Sequence, residues 1–99
     1  MGHGNTTLER AAEEIFTDLG YAVSSEGGEL RAKRKWRVVQ VTPMAEPSAP
    51  PAAGELRCFV TWESDADALE RRLQRENPDY EWAIIGVKNE DYVVSRGPT

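Results

Sequence analysis

Ninety-nine residues are enough for one small hydrophobic core and too few for two. Hydrophobic residues make up 39% of the chain, which predicts a single two-layer core and excludes a deep active site enclosed by one subunit. The formal net charge is −5, so the chain as a whole repels phosphate backbones and any contact with nucleic acid must be local.

The sequence also predicts a compartment. Cys58 is the single cysteine and cannot form an intramolecular disulfide, which favours a reducing environment. No apolar run approaches the roughly 18 residues of a membrane span, and residues 1–10 lack the apolar core of a signal peptide. We therefore expect a soluble, cytoplasmic protein that makes no membrane contact.

The first predicted element is an amphipathic helix that follows a disordered tail at residues 1–5. Thr6 is a good N-cap, and Glu9 stands three residues later, as in a capping box. Gly20 predicts a left-handed end. Apolar residues recur between these ends at three- and four-residue steps, at Leu8, Ala11, Ala12, Ile15, Phe16 and Leu19.

Three strands follow the helix. A turn is predicted between the first two at residues 25–28, because the paired glycines Gly27 and Gly28 adopt positive φ freely. The turn at Arg34 and Lys35 contains no Gly, Asn or Asp, so its geometry is left open. The three strands are predicted at residues 21–23, 29–33 and 36–42.

The second half of the chain predicts one helix among three strands. Four of the six prolines lie in residues 43–54, which predicts a surface loop inside a single domain over residues 6–96. Ser64 is the predicted cap of the helix, and Asn77 with Pro78 ends it. The strands are predicted at 55–62, 80–87 and 92–94, the helix at 65–76, and a tail at 97–99.

The predicted order is α-β-β-β-β-α-β-β, an α+β domain with a mixed sheet of five or six strands. Strands 55–62 and 80–87 are apolar on both sides, which is typical of strands covered on both faces. If both helices pack on one face, the other face is exposed and predicts a homodimer or a protein partner. One helix on each face is the alternative. The expected interface residues are Trp62, Trp82 and Ile84.

Five of the twelve basic residues lie between positions 31 and 37, a segment that we call the basic hairpin. Its cations can contact phosphates while the indole of its tryptophan stacks on a base. A strand edge that charge protects from aggregation would give the same pattern, as would internal pairing with acidic helix faces. The candidate nucleic-acid-binding residues are Arg31, Lys33, Arg34, Lys35, Trp36 and Arg37.

The sequence gives little sign of catalysis. Cys58 as a nucleophile would need a nearby base, and the only histidine is His3 in the predicted tail. A structural zinc site needs about four ligands at close spacing. Asp65 and Asp67 are explained by the first turn of a helix, where negative charge is favourable. We therefore predict no catalytic residue, no metal site and no cofactor.

Two resemblances add to this picture. Residues 8–42 resemble the opening of the restriction-endonuclease-like core of the Mrr type, in which a hairpin carries a metal-binding acid and the next strand ends in a Glu- or Gln-x-Lys triplet. The resemblance places Glu29 at the acid and Gln40 at the first triplet position, whereas Thr42 stands where the catalytic lysine belongs. It implies a nucleic-acid-binding relative that has lost catalysis.

The second resemblance covers the whole chain. The segments ELRAKRKWRVVQVTP, LRCFVTW and PDYEWAIIGV are similar to small uncharacterised proteins of halophilic archaea, which implies no activity and no site residue. The leading hypothesis is a non-enzymatic interaction or regulatory protein that acts through an exposed sheet face or the basic hairpin. A nucleic-acid-binding module is the second hypothesis, and an enzyme is the third.

Overall fold

A computed structural model describes residues 3–26, 29–45, 54, 56–88 and 91–96. Two helices and six strands occur in the predicted order, so the α+β class and the α-β-β-β-β-α-β-β order are confirmed. The elements are α1 (His3–Asp18), β1 (Ala22–Glu26), β2 (Glu29–Arg34), β3 (Arg37–Pro43), β4 (Leu56–Trp62), α2 (Glu63–Glu76), β5 (Glu81–Lys88) and β6 (Asp91–Arg96).

Helix starts differ from the predictions, whereas helix ends agree with them. α1 begins at His3, inside the predicted tail and before the predicted cap Thr6. The N-cap of α2 is Trp62, which forms no side-chain capping bond, and the predicted cap Ser64 lies in the first turn. Gly20 has φ +92°, and Asn77 has φ +50° with its N–H donating to the Leu73 carbonyl at 2.8 Å.

Some predictions fall on residues that the structure does not describe. These are residues 27–28 of the predicted turn, most of the proline-rich loop, the turn at 89–90 and the tail at 97–99. The first half of the predicted turn is wrong, because Ser25 and Glu26 belong to β1 and pair with Leu30 and Glu29. In the described part of the chain, neither helix is long and apolar enough to cross a membrane.

The sheet follows chain order, β1-β2-β3-β4-β5-β6. β3, β4 and β5 are parallel neighbours, and the other pairs are antiparallel. α2 connects the parallel strands β4 and β5, as the sequence predicts, because parallel neighbours need a crossover connection.

Each face of the sheet is covered by one helix, which is the second of the two arrangements that the sequence allows. Val60 packs under α1 with Ile15, whereas its neighbour Phe59 packs under α2 with Leu69. Successive strand residues point to opposite faces. The two-sided apolar pattern of the inner strands therefore reflects two helix contacts within one chain.

On the α2 side of β1–β3, which we call the open face, neither of the two helices that the structure describes covers the strands. α2 contacts β4, β5 and β6, whereas α1 packs on the opposite side of the sheet. Ser24, Arg31, Gln40 and Arg57 are register partners in one row across four strands of this side. The open face is polar, so it does not present the broad apolar surface that an uncovered sheet would have.

Candidate functional site

The tip of the basic hairpin holds the most exposed aromatic side chain in the described part of the chain. Arg34 and Arg37 are register partners, which leaves Lys35 and Trp36 as a two-residue loop. The side chain of Trp36 is 88% exposed. Lys35 has φ +56°, a conformation that two-residue hairpin loops require and that glycine adopts most easily.

The structure brings all six predicted nucleic-acid-binding residues together on this hairpin. Arg31 and Lys33 alternate with buried Leu30 and Ala32, so they point toward the open face. All five cations are exposed. Within the described residues Arg34, Lys35 and Arg37 form no ion pair, and Arg34 lies beside Gly20 at the end of α1.

The tip of the hairpin extends beyond the strands on either side of it. β2 and β3 lie inside the sheet, but β1 pairs with β2 only up to Lys33, and β4 pairs with β3 only from Gln40 onward. Charge blocks the pairing of an exposed strand edge with another chain, so edge protection remains an explanation for Arg34 and Arg37. It does not explain the exposed indole of Trp36 between them.

A partly buried ionic cluster lies where the open face meets the part that α2 covers. Nη1 of Arg57 donates to Oε2 of Glu29 at 2.9 Å and to Oγ1 of Thr42 at 3.1 Å. The Thr42 hydroxyl donates to the same carboxylate oxygen at 3.0 Å. The Arg57 guanidinium also lies 5.5 Å from the centre of the Tyr80 ring, within the range of a cation–π contact.

Burial and the two charged neighbours of Tyr80 shift the pKa of its phenol in opposite directions. Burial raises the pKa of the phenol, the charge of Arg57 lowers the pKa, and the charge of Glu29 raises it again, so the net shift is upward. The phenol therefore keeps its proton at physiological pH, and its neutral ring lies against the Arg57 guanidinium.

Gly54 packs against this cluster. A Cβ at position 54 would lie 2.6 Å from Nε of Arg57 and 2.9 Å from Oε1 of Gln40, and the residue has φ +157°. Only glycine fits both the space and the backbone angle. A pocket of about 310 Å³ opens beside it, lined by Glu29, Leu30, Arg31, Val38, Gln40, Gly54 and Leu56.

The residues named by the nuclease resemblance meet at this pocket, but in a different role. Glu29 and Gln40 line it, and Thr42 is bound to Glu29. The Glu29 carboxylate is balanced by the buried guanidinium of Arg57, so its charge is already paired. Across the described residues, no three His, Cys, Asp or Glu side chains gather in a way that could hold a metal ion.

A second depression, of about 580 Å³, lies between α1 and the β5–β6 side of the sheet. Its apolar floor comes from the partly exposed side chains of Ala11 and Tyr92 together with buried Ile15 and Val87. We call it the acidic groove, because four carboxylates and one cation line its sides, from Glu13, Glu14, Asp18, Asp91 and Arg10. Sequence reasoning missed it, since its residues come from opposite ends of the chain.

The three predicted interface residues do not form one surface. Ile84 is fully buried under α2, so it is part of the core of the chain and unavailable to a partner. Trp82 packs beside the same cluster, whereas Trp62 packs against the cluster on the α1 side. The expectation of a shared patch assumed that both helices cover one face.

Comparison with known proteins gives one match. The model of a family described as "Family of unknown function (DUF7116)" matches residues 9–94. None of the curated proteins and none of the solved structures matches the chain. The match covers most of the chain, and it brings no activity, ligand or site residue with it.

Proposed function

The chain belongs to the family of unknown function DUF7116, and we propose that it is a non-enzymatic interaction protein that contacts its partner through the basic hairpin. The observation that carries this proposal is the exposure of Trp36, which is 88% accessible at the tip of a two-residue loop. A large aromatic side chain exposed at the tip of a tight turn and flanked by cations offers a partner both apolar area and a polar handle, which is why tryptophan is enriched at interfaces.

The free energies of burial and of ion pairing assign different roles to the indole and to the cations. Burying a tryptophan side chain removes roughly 150–250 Å² from water, which contributes about 4–6 kcal/mol before the costs of association. An exposed ion pair contributes about 0–1 kcal/mol. Trp36 therefore supplies most of the affinity, whereas Arg34, Lys35 and Arg37 attract an acidic partner and orient it.

Single-stranded nucleic acid is the second candidate partner. The exposed indole among cations suits a base stacked beside phosphates, and Arg31 and Lys33 extend the positive charge onto the open face. Glu29 and Gln40 line one pocket and Thr42 donates to the Glu29 carboxylate, an arrangement that suits a nuclease-like domain without activity. The overall charge of −5 weighs against this partner, because it opposes the approach of a polyanion.

Two further expectations set the conditions of a test. The lone buried thiol suits a reducing, cytoplasmic location. The acidic composition suits the salt-rich cytosol of a halophile, since the chain has 17 acidic and 12 basic residues. Experiments in cells therefore belong at native salt.

A photo-crosslinking side chain at position 36 tests both candidates in the native cells. Replacing Trp36 with benzoylphenylalanine keeps an exposed aromatic group at the tip of the hairpin. We expect a discrete crosslinked adduct after irradiation, identified by mass spectrometry. The matched control carries the same group at Arg71, which is exposed on α2 and far from the hairpin in sequence.

The nature of the adduct separates the candidates. An adduct with protein at position 36 and none at position 71 supports the leading proposal. An adduct with nucleic acid replaces it with the second candidate. The absence of any adduct at position 36 contradicts both.

A further inference from the structure

The acidic groove and the basic hairpin are complementary surfaces of the same molecule. We infer that the partner of the hairpin is a second copy of this chain, and that two copies exchange hairpins, each seated in the acidic groove of the other. This inference rests on the proposed function, since it names the partner of the same hairpin.

Charge is the first part of the complementarity. The groove has four carboxylates against one cation, from Arg10. The hairpin presents five cations without an acidic residue between positions 31 and 37. Opposite potentials of this kind steer two surfaces together and oppose wrong partners. The attraction reaches about 10 Å at 0.1 M salt and about 3 Å at 1 M salt, so at high salt it acts only between groups in contact and the buried indole contributes the larger share.

Shape and polarity are the second part. The hairpin tip is narrow, because Lys35 and Trp36 alone connect two paired strands. The groove offers about 580 Å³ above an apolar floor that includes the ring of Tyr92, which is only partly buried. An indole inserted there would contact an aromatic ring and aliphatic side chains, while its flanking cations would face the carboxylates of α1.

The placement of the two surfaces is the third part. The groove runs along α1 from Arg10 to Asp18, and Arg34 of the hairpin lies beside Gly20, just beyond the end of that helix. Because β3, β4 and β5 are parallel, the hairpin tip at the start of β3 and the groove residue Val87 near the end of β5 lie toward opposite ends of the sheet. A two-fold axis between these two surfaces would bring each hairpin to the groove of the other chain. In the described part of the chain the tip cations do not pair with these carboxylates, so both surfaces are available to a neighbour.

Charge reversal of each surface, followed by mixing, tests the exchange. The hairpin variant is K35E/R37E, and the groove variant is E13K/E14K. In the hairpin variant, the tip cations Arg34, Lys35 and Arg37 change from a net +3 to −1, the sign of the wild-type groove at −3. In the groove variant, the groove changes from −3 to +1, the sign of the wild-type tip. We therefore expect each variant alone to be monomeric in sedimentation velocity at 0.1 M KCl. In the equimolar mixture, both contacts are again between opposite charges, so we expect the dimer to return.

Two control variants match the change in net charge at exposed positions of α2. R71E/R75E matches the hairpin variant, and D67K/E76K matches the groove variant. Both controls should remain dimeric like the wild type, and the wild-type dissociation constant should rise at least tenfold between 0.1 M and 1 M KCl. Rescue in the mixture also shows that each reversed variant is folded.

Several outcomes overturn the inference. A wild-type monomer at all concentrations, reversed variants that remain dimeric, or a mixture of folded variants that stays monomeric would each refute it. Species that grow beyond the dimer with concentration would refute the reciprocal exchange. If the mixture stays monomeric while position 36 crosslinks to another protein, the second copy is the wrong partner and the proposed function stands.

Discussion

Thr61 is a polar residue placed where the packing requires an apolar one. Its side chain is fully buried between β4 and α2, and its hydroxyl has no hydrogen-bond partner among the described residues. A buried hydroxyl without a partner costs about 1–3 kcal/mol. We expect Thr61→Val to raise the free energy of unfolding by about 1 kcal/mol, measured by urea denaturation.

Thr61→Ser is the matched control, because it keeps the hydroxyl and removes the methyl group. It should lower stability by about 1 kcal/mol through the loss of buried contact. A destabilised valine variant would mean that the hydroxyl is satisfied in the folded protein.

Cys58 gives the protein a stability that depends on alkaline pH. Burial raises the pKa of the thiol from 9.0 to about 12, so between these values the unfolded chain loses the proton and the folded chain keeps it. The unfolded state then binds fewer protons, and stability falls as pH rises. Between pH 9 and 12, this thiol lowers the free energy of unfolding by about 1.4 kcal/mol for each unit that the pH rises.

Comparing the wild type with Cys58→Ala isolates this slope, since every other titrating group, including Tyr80, is present in both. We expect the wild type to lose about 1 kcal/mol more than the variant between pH 9.5 and 10.5 in urea denaturation. Parallel losses would show that the thiol ionises in the folded state.

At the scale of single residues, the sequence was enough to group the six candidate residues of the hairpin, because they lie within one short segment rich in Arg and Lys. Sequence reasoning missed Arg57, which lies in the apolar strand segment LRCFVTW. The partner of Arg57 in the ion pair, Glu29, is 28 positions away, so the pair exists only once β2, β3 and β4 are aligned.

At the scale of elements, the β2–β3 turn holds strain that glycine would remove. Lys35 has φ +56°, which costs an L-residue about 1 kcal/mol. We expect Lys35→Gly to raise the free energy of unfolding by about 0.5–1 kcal/mol, measured by thermal and urea denaturation.

Lys35→Ala separates backbone strain from charge. It removes the same cation but keeps a Cβ, so the strain should persist and stability should not rise. If the alanine variant gains as much as the glycine variant, repulsion among the hairpin cations is the cause instead.

The elements themselves were predictable, and the face that each helix covers was not. Periodic apolar positions such as Leu69 and Leu73 predict a helix, and alternation predicts a strand. A strand that is apolar on both sides shows only that both sides are covered. Whether two helices of one chain or a second chain provides the cover depends on packing that no local pattern encodes.

At the scale of the whole molecule, charge is separated into two surfaces. The positive one was predictable because residues 31–37 are adjacent in sequence. The acidic groove was not, because residues 10–18 meet Val87, Asp91 and Tyr92 only after α1 packs across the sheet. The chain therefore carries two surfaces of opposite charge that could bind each other in a pair of molecules, and its net charge alone does not reveal them.

The agreement between strand order and chain order has a kinetic consequence. No strand has to be inserted between two that are already paired, because each strand adds to the edge left by the one before it. Pairing between neighbours in sequence closes short loops, which lowers contact order and speeds folding. The sheet can thus grow from its first hairpin in the order in which the ribosome releases the chain, and the last edge to form is β6.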